Sequence, residues 1–158
     1  MLYIVGDITY ELFKEFSEQL DGFLLADGLI EIVLTSDGGD ADVAIAFAEA
    51  IRKFPLEIHI HAVGAVSSAA VMILASGDHR TMSEHSTVMV HEEEIEVSGS
   101  VSEVEKQVAE FRKKEHQWNK MLEYRTKCSL EKWGELHKAT TYLDAQRCLV
   151  LGLIDEVV

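Results

Sequence analysis

The chain has 158 residues, of which 28 are acidic and 14 basic, for a formal net charge of −14. Hydrophobic residues make up 47% and proline occurs once, which excludes a disordered chain and leaves enough apolar mass for a real core. The acidic balance argues against nucleic acid and against an anionic membrane surface as partners.

Leu2–Val5 reads as a short apolar strand, turned by Gly6-Asp7. Tyr10 to Leu25 reads as an amphipathic helix with Leu12, Phe13, Phe16 and Leu20 on one side. Leu29–Leu34 is a second strand, and Thr35-Ser36-Asp37-Gly38-Gly39-Asp40 is a loop with turn chemistry. Asp42 or a neighbour caps the next helix, which runs through Val43, Ala46, Phe47, Ala50 and Ile51 and ends before Pro55. Ile58–Val63 is a third strand, turned at Gly64 into a buried helix over Ser68–Ala75, and Thr87–Val90 is another strand. This alternation predicts an α/β fold with a largely parallel sheet and right-handed crossovers. The loop Thr35–Asp40, the turn Gly64–Ser67 and His91 all fall at the carboxyl ends of their strands, where such sheets place functional loops.

The second half differs. A long helical pattern runs from Val101 to about Lys127, opened by a capping box of Ser100 with Glu103 or Ser102 with Glu105. Val101, Val104, Val108, Phe111, Trp118, Met121 and Leu122 form its apolar stripe. At 1.5 Å per residue it spans roughly 40 Å. A helix of that length projects from a small domain and needs a partner surface. A short helix over Ser129–Lys138, the segment Tyr142-Leu143-Asp144-Ala145, a last helix and Gly152-Leu153-Ile154-Asp155 complete the chain.

Cys128 and Cys148 show neither a disulfide framework nor zinc spacing and read as reduced thiols. No signal-peptide layout opens the chain. The longest apolar stretch, Ile60 to Ala75, is shorter than the about 20 residues a membrane helix needs. A cytoplasmic protein is expected. The histidines lack spacing such as HExxH, Glu92-Glu93-Glu94 reads as a solvated acidic loop, and neither the P-loop lysine nor GxGxxG is present, so no metal and no cofactor is expected.

The chemistry concentrates in Ser67 or Ser68 and His91. A serine after a glycine turn is most often a structural cap, and a lone histidine most often packs. Both nonetheless end apolar strands that reach one sheet edge. Acyl transfer needs a nucleophile, a base within hydrogen-bond reach and donors for the oxyanion. The backbone N–H groups of the Gly38-Gly39 loop and of Ala69 are candidate donors.

These residues resemble a known family, the Clp protease proteolytic subunits. Ile32-Val33-Leu34-Thr35-Ser36-Asp37-Gly38-Gly39 looks like the family's strand and glycine loop, Gly64-Ala65-Val66-Ser67-Ser68-Ala69-Ala70 like its nucleophile turn, and Val88-Met89-Val90-His91 like its histidine strand. Tyr142-Leu143-Asp144-Ala145 with Gly152-Leu153-Ile154-Asp155 looks like its C-terminal segment. The match runs from Leu2 to the end, as one domain over residues 1–158. The resemblance implies a Clp/crotonase-like fold of repeated β-β-α units with a projecting handle helix, here within about residues 92–127. It implies Ser68, not Ser67, as nucleophile of a serine endopeptidase, His91 as base, and Gly39 and Ala69 as oxyanion donors. It also implies a homo-oligomeric ring, possible as a stacked double ring, enclosing a chamber for unfolded protein or peptide, and an AAA+ unfoldase as partner.

Three positions depart from the family pattern. Thr140 stands where the family keeps the triad aspartate, and threonine carries no charge to stabilise an imidazolium. In the trypsin-type triad, turning that aspartate into an amide costs about 10⁴ in kcat. Thr140 could orient the ring of a Ser68–His91 dyad, Asp144 or Glu92 could substitute, or the chain could be a weak or silent ring subunit that serves an active paralogue as scaffold. Glu92-Glu93 replaces the usual Gln-Pro. The chain starts at the family's first core strand, without the segment that forms axial loops, which weighs against the AAA+ partner. Short relatives of this type occur in phages and prophages, where some act in capsid maturation. Two other readings compete: an acyl-CoA enzyme on the shared crotonase fold, whose acidic residues match poorly here, and a Ser-Lys dyad, for which no lysine falls into place.

Overall fold

The computed structural model describes residues 1–24 and 27–158. Seven strands and six helices follow in the order β1 (Leu2–Val5), α1 (Tyr10–Asp21), β2 (Ile30–Ser36), α2 (Ala41–Lys53), β3 (Ile58–Ser67), α3 (Ala70–Ser76), β4 (His79–Met82), β5 (Thr87–Val90), α4 (Val101–Arg125), α5 (Leu130–Lys138), β6 (Thr141–Leu143), α6 (Ala145–Leu151) and β7 (Glu156–Val157) among the described residues. The sheet runs β1-β2-β3-β4-β7, with β5 branching from β3 and carrying β6. Every pairing is parallel except β5–β6, which is antiparallel. The expected α/β architecture is therefore present.

Alternation in β2 explains which face is covered. Ile30, Ile32 and Leu34 are buried while Glu31 is exposed, so the helices pack on one side. Phe47 of α2 fills the space under α1, its ring centroid 5.1 Å from both Phe13 and Phe16. Helix α3 lies deepest, with all seven residues buried. Fully burying each Leu or Ile of this core stabilises by about 1.5–3 kcal/mol relative to exposure.

The elements differ from the sequence reading in instructive places. Helix α1 ends at Asp21, where Gly22 caps it; Leu25, the expected end, lies outside the described residues. Asp40, not Asp42, caps α2, its Oδ1 accepting from Val43 N at 3.0 Å. Strand β3 does not stop at Val63 but continues to Ser67, and α3 starts at Ala70 because Ser68 has φ 53°, outside the helical region. Strand β4, His-Arg-Thr-Met, has too little apolar alternation to be read in advance.

Strand β3 changes partner along its length. Residues His59 to Ala62 pair with β4, whereas Ala65 to Ser67 pair with β5. Gly64 sits at the change with φ 70°, which glycine adopts without steric cost. Buried Ser86 stitches the bulge, its Oγ accepting from Gly64 N at 2.9 Å.

Helix α4 stands away from the sheet over most of its length, and only Asn119 and Leu122 are buried. The Ser100–Glu103 cap forms, with the Glu103 carboxylate accepting from Ser100 N at 2.8 Å and Oγ at 2.7 Å. Its base is locked. Arg125 donates to the carbonyls of Ala75, Ser76 and Gly77 at 2.9, 3.2 and 2.7 Å, satisfying the carbonyl end of α3. Arg80 donates to Arg125 O at 2.8 Å and to both oxygens of Asp155.

Burial alone would raise the Asp155 carboxyl, but the hydrogen bonds and charge of Arg80 outweigh it and hold the group below the usual carboxylate range. A depressed carboxyl stabilises the fold above its unfolded value and loses that contribution as pH falls through its folded value. Asp155→Asn should therefore be less stable than the wild type at neutral pH, and the gap should close below about pH 4. Urea melts across a pH series check this; a gap independent of pH would contradict the linkage.

Candidate active site

Parallel pairing of β3 with β5 sets the site. Ser67 lies opposite Met89, and Ser68 N donates to Met89 O at 2.8 Å. The next turn of the chain swings Ser68 out while β5 delivers His91 two residues beyond Met89. Ser68 Oγ and His91 Nε2 stand 2.9 Å apart, and both side chains are half-buried. Ser67 is buried inside β3. For the hydroxyl to donate, His91 Nε2 must be unprotonated and Nδ1 must carry the hydrogen.

Ser68 and Thr140 are the two non-glycine residues with positive φ among the described residues. A left-handed serine costs of order 1–3 kcal/mol, and such strain persists only where surrounding contacts hold it. Here Val71 N donates to Ser68 O at 3.1 Å, and the Gly38-Gly39 loop presses against the turn. A Cβ on Gly38 would sit 2.7 Å from Ser68 Cβ and 2.9 Å from Ser67 O. The loop is held in turn: Ile8 N donates to Gly38 O at 2.8 Å, Asp40 N to Ile8 O at 2.9 Å, and Gly38 N to Ser36 Oγ at 3.0 Å.

The N–H groups of Gly39 and Ala69 make no hydrogen bond among the described residues. Both residues line a cavity of about 1020 Å³ with Ser68 and His91, walled on its far side by Trp118 and Met121 of α4. Carboxylates of Asp40, Asp42, Glu93 and Glu94 border it. Two ion pairs hold α4 over this mouth, Lys114–Asp42 at 2.9 Å and Arg112–Glu92 at 3.0 Å.

Thr140 is exposed, follows α5 in a left-handed conformation and does not line the cavity. Its N–H donates to His137 O at 3.0 Å, and no hydrogen bond joins its side chain to His91. Asp144 is occupied as the cap of α6, accepting from Arg147 N at 2.8 Å, and Glu92 is occupied by Arg112. His91 makes no side-chain hydrogen bond to any carboxylate among the described residues. His59 pairs with Glu57, and His61 bonds Thr81 and Ser83 on the open sheet face.

One cavity residue entered the sequence reading only as a histidine without metal-ligand spacing. His137 lies in the last turn of α5, is 8% exposed and lines the same cavity as His91. Its signal was faint: a histidine four residues after Trp133 on a short amphipathic helix. Neither thiol competes as nucleophile. Burial pushes Cys148 up to about 12 and raises Cys128 as well. Among the described residues no group of three or more His, Cys, Asp or Glu side chains is placed to hold a metal ion, and no helix is long and apolar enough to cross a membrane.

A hydroxyl on a strained strand-to-helix turn, an imidazole in contact with it and two unused N–H donors beside it are the parts of a serine-type peptidase. The comparisons agree. The Clp protease family model matches residues 2–158, and the chain belongs to that family. It is 28% identical over 163 residues to an ATP-dependent Clp protease proteolytic subunit 2 of Treponema denticola, covering 99% of this chain and 80% of that one. It is 30% identical over 158 residues to the ATP-dependent Clp protease proteolytic subunit of Chlorella vulgaris, covering 95% and 79%.

The close packing makes the glycine loop sensitive. Gly38→Ala should cost about 1–3 kcal/mol, because φ 109° and the clash with the Ser68 turn act together. Chemical denaturation checks this; a loss under a few tenths of a kcal/mol would show that the loop yields freely.

Proposed function

We propose that the chain is a serine endopeptidase acting through Ser68 and His91, with Gly39 and Ala69 as oxyanion donors. The observation that carries the reading is the 2.9 Å contact between Ser68 Oγ and His91 Nε2 at the edge of an open cavity. Ser68 Oγ attacks the scissile carbonyl carbon as its proton passes to His91 Nε2. The carbonyl oxygen becomes an oxyanion facing the N–H groups of Gly39 and Ala69, which are already fixed in place and need no reorganisation. Collapse breaks the C–N bond, and His91 returns the proton to the leaving amine. Water then enters, gives its proton to His91 and attacks the acyl carbon, and the serine departs with that proton.

Assembly belongs to the same proposal. The free part of α4 carries Val101 at 76% and Val108 at 37% exposure beside half-buried Val104 and Phe111. A homo-oligomeric ring, stacked through this helix into a double ring, would cover these residues and confine unfolded substrate. The alternative of a silent ring subunit rests on one observation: among the described residues no carboxylate hydrogen-bonds His91, and Thr140 occupies the position where the family resemblance expects the aspartate.

Ser68→Ala should abolish cleavage of fluorogenic peptides and labelling by a fluorophosphonate probe without lowering the melting temperature. His91→Ala should slow cleavage by about 10³-fold or more. Stoichiometric labelling of Ser68 excludes the silent subunit; equal cleavage by wild type and Ser68→Ala sinks the assignment.

Val108→Asp should halve the assembly mass in sedimentation, from stacked rings to single ones. Unchanged mass would remove α4 as the stacking element.

A further inference from the structure

We infer that His137 is a positioning residue for His91, holding the catalytic ring through one cavity water where the family would use a carboxylate. The inference rests on the peptidase reading above and names a group that reading lacks.

Three observations carry it. His137 Nδ1 lies 2.7 Å from the carbonyl oxygen of Trp133, which can only accept. Nδ1 therefore carries the hydrogen, and in the neutral ring Nε2 is left as an unshared acceptor. Next, His137 and His91 line one cavity, and Glu92 N donates to His137 O at 2.9 Å, so the backbone just after His91 is tied to the residue in question. Third, the donor that needs an acceptor is available. His91 Nδ1–H has no hydrogen-bond partner among the described residues, and Thr140, Asp144 and Glu92 are placed or engaged elsewhere. No direct hydrogen bond joins the rings. The cavity of about 1020 Å³ has room for a water, and one that accepts from His91 Nδ1–H and donates to His137 Nε2 satisfies both.

His137 is suited to remain neutral. Burial lowers its pKa first and foremost, the bond to Trp133 O and the nearby Glu115 of α4 act in the opposite direction, and positive charge on His91 lowers it further. When His91 takes the Ser68 proton, the imidazole of His137 is therefore a dipolar acceptor and not a second cation. The Nδ1 hydrogen stays on His91 throughout. Glu115 of α4 and His91, just past β5, are the titratable groups whose charge acts on it.

The experiment separates positioning from packing. His137→Asn keeps an N–H at the Nδ1 position for Trp133 O but deletes the acceptor at Nε2. His137→Gln places an amide oxygen at that reach, and His137→Glu places a carboxylate there in nearly the same shape. The readout is the rate of fluorophosphonate labelling at Ser68 against pH, with melting temperatures as the control on folding. His137→Asn should slow labelling by roughly tenfold or more, and His137→Gln should recover most of it. His137→Glu should move the acidic limb of the profile upward by about one pH unit relative to His137→Gln. Folded His137→Asn that labels at the wild-type rate, or coincident profiles for the Gln and Glu variants, overturns the inference while leaving Ser68 and His91 in place. A wild type that is not labelled at all overturns the peptidase reading and this one together.

Discussion

The site depends on a single register. Strand β3 can serve β4 with its first half and β5 with its second only because the chain kinks at Gly64. A side chain at φ 70° would be strained there, and the bulge re-aims the strand by one partner. From that point Ser67 is locked opposite Met89, and the separation of Ser68 from His91 is no longer adjustable. Side chains alternate along strands with period two, so a slip of one residue would turn His91 to the other face. Ser86 and Thr35 hold the bulge by bonding Gly64 N at 2.9 Å and Ala65 O at 3.4 Å. Neither touches the cavity, yet both fix the distance on which acyl transfer would depend.

Helix α4 solves a different problem with the same economy. Most of its length has little to bury, so its place cannot come from packing alone. Its last turn is instead written into the hydrogen bonds of the core. Arg125 reaches three carbonyls at the end of α3, and Arg80 joins the end of α4 to Asp155. Removing Arg125 from water is costly, and burial indeed lowers its pKa. The three carbonyls it satisfies would otherwise be orphans, which offsets that cost. The result is a fixed wall at Trp118 and Met121 and, beyond it, a largely exposed shaft that carries the surface ion pairs of Lys114 and Arg112.

Much of this was legible beforehand, for stated reasons. The alternation of apolar strands with amphipathic helices, such as Leu29–Leu34 followed by Val43, Phe47 and Ile51, announces a largely parallel α/β sheet. The Gly38-Gly39 loop announces a close approach, and that approach is to Ser68. Choosing Ser68 over Ser67 came from resemblance to a family; spacing left both open. What remained hidden was tertiary. The left-handed turn at Ser68 is held by contacts from β5 and from the glycine loop, so a local reading extended the helix through it. Polar β4 owes its existence to its neighbours β3 and β7. His137 looks like any residue in the last turn of a short helix, until α4 folds across α5 and buries it beside His91.

A triad carboxylate performs two tasks: it fixes the tautomer and angle of the histidine, and it balances the charge that histidine acquires. The geometry here separates them. A neutral acceptor fixes orientation as well as a carboxylate does, but it supplies no charge. Asp40, Asp42, Glu92, Glu93, Glu94 and Glu115 all line the one cavity. These carboxylates bring negative charge to the cavity lining, and among the described residues none of them hydrogen-bonds His91. Solvent weakens each of them, since two unit charges at 4 Å attract by only about 1 kcal/mol in water against about 4 kcal/mol at a protein surface. Lys114 and Arg112 neutralise part of that charge at Asp42 and Glu92.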